Sequence, residues 1–353
     1  MSCSLRLFFF AICGLFLVSM LACGNASKTQ PVATHVYAAG FQTNDSDAEI
    51  ATYWNDGKAA VLGAGTNPSY ATSIAVSSTD VYVAGVEGNG TNDVAKYWKN
   101  DIPVDLTDGT QRGFANSIVV SGTDVYVAGG EQRQLSNAVA KYWKNGVPVV
   151  LPDLGQGALA QSVFVSGTDV YIAGWQNKTT QLDPTHTLHT QIATYWKNGV
   201  PTELTNGTAL SIAYSVFVSG TDVYVAGFAC QNVAPNCAIA TYWKNGVQVQ
   251  LTNITATTVS SVFVSGTNVY ASGNENNDVA QLWKDGAPVQ LSGVSSGSAA
   301  NQVFVSGSDV FVGGASLNNS GVPTATYWRN GVPVQVGDST HFSSAFALTV
   351  VIR

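Results

Sequence analysis

One six-residue pattern recurs seven times along the chain: HVYAAG at His35, DVYVAG at Asp80, Asp124 and Asp222, DVYIAG at Asp169, NVYASG at Asn268 and DVFVGG at Asp309. The steps between copies are 45, 44, 45, 53, 46 and 41 residues. A period of this length belongs to repeats that cannot cover their apolar faces alone and do so against their neighbours, as in solenoids and propellers. Each period holds four segments, of the types SVFV, DVYVAG, ATYWKNG and VPVQ, with Ser-Gly-Thr and Asn-Gly turns between them. Val, Tyr, Trp and Thr between such turns read as short antiparallel strands, and no segment spaces its apolar residues as a helix would. Four strands per repeat predict an all-β chain, a seven-bladed β-propeller with four antiparallel strands in each blade.

The two ends of the repeat array sharpen this reading. HVYAAG has no SVFV-type segment before it, while the chain stops at SSAFALTVVIR with no DVYVAG-type segment after it. Each end holds the half that the other lacks. If the last segment pairs with the strand at His35, one composite blade closes the ring and no sheet edge stays open to aggregate. Such a ring is expected to be a monomer. Trp54, Trp98, Trp143, Trp196, Trp243, Trp283 and Trp328 recur once per repeat, which predicts packing between neighbouring sheets rather than ligand stacking. The Asn-Gly pairs that follow, as at Asn145-Gly146 and Asn198-Gly199, suit two-residue hairpins that need left-handed backbone.

From His35 to Arg353 the repeats resemble those of exported bacterial β-propeller proteins, with a general likeness to kelch and SBBP-type blades in the VYVAGG-like second strand. The resemblance implies a fold and leaves function open. The Gly-Gly pair of kelch stands only at Gly129-Gly130 and Gly313-Gly314, and neither the Trp-Asp of WD repeats nor the sialidase Ser-x-Asp-x-Gly-x-Thr-Trp motif is present.

Residues 1–22 carry one cation, Arg6, and a nearly unbroken apolar run from Leu7 to Ala22, which reads as an export signal to be left out of the fold. The run ends at MLACGN, which resembles the lipobox of bacterial lipoproteins and makes Cys23 the expected lipidated first residue. An ordinary cleaved signal and an uncleaved anchor are the alternatives. Residues 23–34 would then be a tether, residues 35–353 the propeller, and the location the bacterial cell envelope, periplasmic or at the surface. Cys3 and Cys13 leave with the signal, so Cys230 and Cys237 remain to pair as a disulfide in a compartment where disulfides persist. With 15 basic and 22 acidic residues the chain lacks the concentrated Lys and Arg that nucleic acid demands. Membrane contact is expected only through the lipid.

Lettering the strands A to D from SVFV outward, alternation puts the A–B and C–D turns on one face and the B–C and D–A connections on the other. The first face is uniform and short-looped; the second carries all the irregularity, and loops on a rigid scaffold are where binding resides. Trp175, Arg112, Arg133 and Asp183 fall there and are the candidate binding residues. By sequence assignment this face holds twelve acids against Arg112, Arg133 and Lys178, an excess suited to a cationic partner. Asp45-Ser46-Asp47-Ala48-Glu49 has alternate carboxylates and suggests calcium, yet lacks the glycine and distal glutamate of an EF-hand loop. His186 and His189 are a weak metal pair on the longest insertion. No nucleophile motif or phosphate loop stands out. The expectation is therefore a tethered, non-enzymatic protein that binds a protein or polysaccharide. A carbohydrate-active hydrolase or lyase and a purely structural envelope protein are the alternatives.

Overall fold

The segment Asp222–Cys230 is buried at every position from Val223 to Ala229, as a strand must be when neighbouring layers cover both of its faces. It is the second strand of a four-stranded antiparallel sheet, and the computed structural model contains seven such sheets. It describes residues 33–132, 137–183, 186–232, 237–275 and 279–353. The leader and Cys23 lie outside the described residues, as does Arg133.

The sheets form a ring of seven blades. Each hydrophobic cluster joins two consecutive blades: Tyr126, Ala128 and Ala140 of blade 3 pack with Ile172 and Trp196 of blade 4, and Tyr171, Ala173 and Ala193 of blade 4 with Val225 and Trp243 of blade 5. The last join, Ala325 and Val336 of blade 7 with Ala38 and Trp54 of blade 1, completes the circle. All seven repeat tryptophans are 1% exposed or less, so they are the packing between sheets. The indole N–H of Trp196 donates to the Pro152 carbonyl at 2.9 Å, and that of Trp328 to Ser292 at 2.8 Å.

Blade 1 is composite. Its strand A is Ser343–Ile352, from the end of the chain, paired with strand B, Thr34–Thr43, followed by Glu49–Asn55 and Lys58–Val61. The closure expected from the two half-repeats is therefore present, and this sheet has the same order from the inside outward as the other six.

One irregularity is repeated in all seven blades. Strand A carries a one-residue bulge opposite a small-residue pair of strand B, Ala-Gly in five blades, Ser272-Gly273 in blade 6 and Gly313-Gly314 in blade 7; it lies between Ala71 and Ser73, Ala115 and Ser117, Ala160 and Ser162, and at the matching place in the remaining blades. The bulged strand presses its carbonyl against the strand B glycine: a Cβ on Gly227 would overlap the Ile212 carbonyl oxygen, and one on Gly174 that of Leu159. Only glycine tolerates that approach, which gives the G of VYVAG its physical reason. The serine after the bulge is used as well. Ser73 Oγ accepts from the Ile118 N–H of the next blade at 3.1 Å, Ser117 from Val163 at 3.2 Å and Ser162 from Val216 at 3.3 Å. These bonds occupy inner-edge donors that have no strand partner.

The uniform face is equally patterned. In blade 3, Lys144 Nζ sits 2.8 Å from Asp124 and 5.3 Å over the Tyr126 ring, while Asn145 donates to the other Asp124 oxygen at 2.8 Å and accepts from the Val125 N–H. The hydrogen bond from Lys144, then that from Asn145, holds the Asp124 carboxyl below its usual range. Blades 2, 4 and 5 repeat this unit, and blade 7 builds it with Arg329. Asn145 and Gly146, with φ of 52° and 80°, are the left-handed pair of a type I′ hairpin.

Candidate functional site

With the A–B and C–D turns taken up by these units, the irregular chain lies at the opposite ends of the strands. Its longest excursion is built differently from a loop. Strand B of blade 4 runs without a break from Asp169 to Asp183, through Trp175, and pairs with His186–Lys197, so the insertion is a β-ribbon rising beyond the blade. On such a ribbon residues three apart point to opposite sides. His186 and His189 are therefore directed apart, and His189 Nδ1 lies 2.9 Å from Thr179 Oγ1. Among the described residues no group of three or more His, Cys, Asp and Glu is arranged to hold a metal ion. Asp183 pairs with His186 at the ribbon's end.

Trp175 is half-buried, opposite Leu159 of strand A and Ala193 of strand C. Phe41 in blade 1 and Phe228 in blade 5 hold the same position after the strand B glycine. Arg112 turns toward the preceding blade. Its Nε is 2.7 Å from Asp93, its guanidinium lies 5.3 Å over Phe114, and it lines a cleft of about 500 Å³ with Asn67 and Asn92. Cys230 and Cys237 are bonded as a disulfide, their Cα atoms 4.9 Å apart.

Several acids of this face have cationic partners close by. Lys96, midway along strand C of blade 2, is 2.7 Å from Glu87 and 3.3 Å from Asp105. Lys141 pairs with Glu131 and Lys178 with Glu203, the latter at 2.7 Å. Burial opposes the charge on Glu87, but the Ala64 N–H and Lys96 outweigh it and draw its pKa down. Strand pairing brings Lys96 and Lys141 to the acids; loop assignment alone omitted these two. In the Asp45–Glu49 turn, Asn44 Oδ1 accepts from Ser46 and Ala48, Glu49 accepts from the Tyr70 hydroxyl, and Asp45 lies 3.2 Å from His341 Nε2. Two of its three carboxylates thus have partners inside the protein.

A second concavity was not anticipated from the loops. The bulge residues turn into the central channel, where Thr72, Asn116, Gln161, Ser260 and Asn301 are joined by Tyr214 and Phe346. They line a cavity of about 420 Å³ that extends to Thr258, the first residue of its strand A, at the end reached from the D–A connections. The same residues and the serines beside them enclose only about 100 Å³ further in. Among the described residues no charged side chain lines either space. Burial raises the Tyr214 pKa, so its phenol stays neutral. A sequence signal for this ring exists. Along strand A the buried apolar positions flanking the bulge are three apart, as Ala213 and Val216 or Ala160 and Val163 are, where unbroken alternation would make them two apart.

A scan against protein-family models finds none that matches the chain, and a search of the curated proteins finds none either. Among solved structures the chain is similar to that of YjhT, at 10% identity and a TM-score of 0.41, over 75% of this chain and 96% of that one. It is also similar to a puromycin-hydrolysing peptidase of Mycobacterium tuberculosis, at 10% identity and a TM-score of 0.38, over 75% of this chain and 53% of the peptidase. Neither likeness is close enough to bear on chemistry.

Proposed function

We propose that this protein is a non-enzymatic binding protein of the bacterial cell envelope, tethered through lipid on Cys23, that recognises a protein or polysaccharide through the face carrying the B–C and D–A connections. The observation that carries the reading is the asymmetry of the ring. One face is closed by repeated Asp–Lys–Asn–Tyr units whose groups satisfy one another. The other holds the blade 4 ribbon, the disulfide loop, the 500 Å³ cleft beside Arg112 and the channel mouth. Concave sites with a few convergent polar groups are the usual form of binding sites, and propeller architecture alone assigns none.

A catalytic reading would need free carboxylates in a cleft, and Glu87, Asp93 and Glu131 are engaged by Lys96, Arg112 and Lys141.

The test is capture from native envelope by the intact protein and by a variant whose ribbon, residues 177–191, is replaced with the short B–C turn of blade 2. Loss of the captured partner with an unchanged melting curve is the expected result. Capture unaffected by this exchange, and by Arg112→Ala, would overturn the reading.

A further inference from the structure

We infer that the channel mouth is a subsite for a neutral, hydroxyl-rich ligand, a sugar ring of an uncharged carbohydrate, held between Tyr214 and Phe346 with the bulge amides and hydroxyls between them. The inference deepens the variable-face reading and rests on it.

Three observations converge. First, the two aromatic residues stand in blades 5 and 1, separated by Ser260 of blade 6 and Asn301 of blade 7 on one side and by three blades on the other. In a ring of seven that is the greatest separation available, so the rings flank the cavity from opposite sides.

Second, both are braced from behind. Phe346 packs on Phe41 at 5.5 Å between centroids, and Phe41 in turn meets Tyr70 and Phe342; Tyr214 packs on Phe228 at 6.1 Å. Phe41 and Phe228 are 4% and 6% exposed, so the mouth is set before a ligand arrives, as a binding site should be.

Third, the polar groups are uncharged, and several are held by the next blade. Asn116 and Asn301 spend an amide N–H on the carbonyls of Ala160 and Ala345 in the next blade, at 2.8 and 2.9 Å, and Thr72 gives its hydroxyl proton to Ala115. Each asparagine keeps its amide oxygen and its second N–H, and Gln161, Ser260 and the Tyr214 hydroxyl add further uncharged donors and acceptors. Uncharged donors and acceptors suit a neutral polar ligand, and a pyranose presents hydroxyls that both donate and accept at its edge and C–H groups on its faces, the two surfaces that amides and aromatic rings receive. The cavity of about 420 Å³ lies within the range of small-ligand sites. The space of about 100 Å³ beneath it falls below the range of small-ligand sites, so the ligand rests in the mouth rather than threading the ring.

Titration calorimetry with neutral gluco-, manno-, xylo- and N-acetylglucosamine hexasaccharides, against oligogalacturonate as the acidic control, tests this on the full chain. Binding of at least one neutral oligosaccharide is expected, with oligogalacturonate much weaker. Tyr214→Ala and Gln161→Ala should each weaken it about tenfold. Gln161 makes no hydrogen bond within the protein among the described residues, so Gln161→Ala keeps the test valid should Tyr214→Ala disturb the blade. No binding of any neutral oligosaccharide, equal binding of the acidic one, binding indifferent to both substitutions, or peptides taken up in place of sugars would overturn the inference. Ribbon-dependent capture that persists in Tyr214→Ala and Gln161→Ala would sink this inference alone. Capture indifferent to the ribbon and to Arg112 would sink the broader reading.

Discussion

At the scale of single residues, the repeat signature divides into groups that hold the ring and groups it leaves free. Gly227 belongs to the first kind, because its missing Cβ is where the Ile212 carbonyl lies. Gly227→Ala should therefore lower stability by about 3 kcal/mol or more, an overpacking loss in a site that cannot yield without undoing the bulge. Gly246→Ala, at a turn with φ of 82° and open space around it, should lose only about 1 kcal/mol, from backbone strain. Denaturant melts of the two variants check the difference. Trp243 is fully buried against Ala173 and Ala193 of the neighbouring blade, and Trp243→Ala should lose about 3 to 5 kcal/mol. Trp175 is half-buried on the ribbon strand; Trp175→Ala should move the melt less than half as far while weakening binding at the variable face. A melting shift as large as that of Trp243→Ala would make Trp175 a core lid and remove it from the candidate site.

At the scale of elements, the terminal strand is the part on which the ring depends. Deleting Ser343–Ile352 uncovers the inner edge of strand B in blade 1 and removes Leu348 from its cluster with Phe311. The truncated protein should aggregate or lose cooperative unfolding; a monomer with an unaltered melting curve would show the strand to be dispensable. Reduction of Cys230–Cys237 should lower stability by up to ~3 kcal/mol, since the bond restricts an eight-residue loop in the unfolded chain, and a melt with and without reductant measures it. Strands, turns and the composite blade were legible in the sequence because each is written in local chemistry: Asn-Gly for the C–D turn, a Trp for each sheet, one half-repeat at either end. The ribbon was not, because a longer step between copies looks the same whether the added residues form a loop or extend a hairpin. The channel ring was hidden for another reason. Its members, Thr72, Asn116, Gln161 and Tyr214, share no residue type, and only the slipped spacing of Ala213 and Val216 betrays the bulge that turns them inward. The pairing of Lys96 with Glu87 was missed because it depends on strand register, which places Lys96 opposite Gly85 and brings the acid two residues further along within reach.

At the scale of the whole molecule, the closure is also where acidity should be felt. His341 lies 2.8 Å from Asp338 and 3.2 Å from Asp45, linking the connection before the last strand to the first B–C turn. The hydrogen bond to Asp338 leads in raising the His341 pKa, so its contribution is complete below about 6.5 and is lost as pH climbs through the raised value. Asp338 is held well below the carboxylate range, by the Thr340 hydroxyl first and by His341, so its share is present above about 3.9 and lost only in strong acid. Between these limits the clasp is complete. Wild-type protein should melt progressively lower as pH rises from 6 to 8, and His341→Gln should flatten that slope; an identical slope in the variant would remove the clasp from the account. Thr34 and Ile352 face each other as strand partners, so the backbone could be joined there by a short linker and cut instead at the turn between Ser219 and Asp222. That circular permutant would move the seam from blade 1 to blade 5 while every sheet keeps its four strands. Folding with the parent's circular dichroism and a comparable melting temperature would establish that the position of the covalent break along the circle is arbitrary, and that the hydrogen-bonded seam fixes only where it now happens to lie.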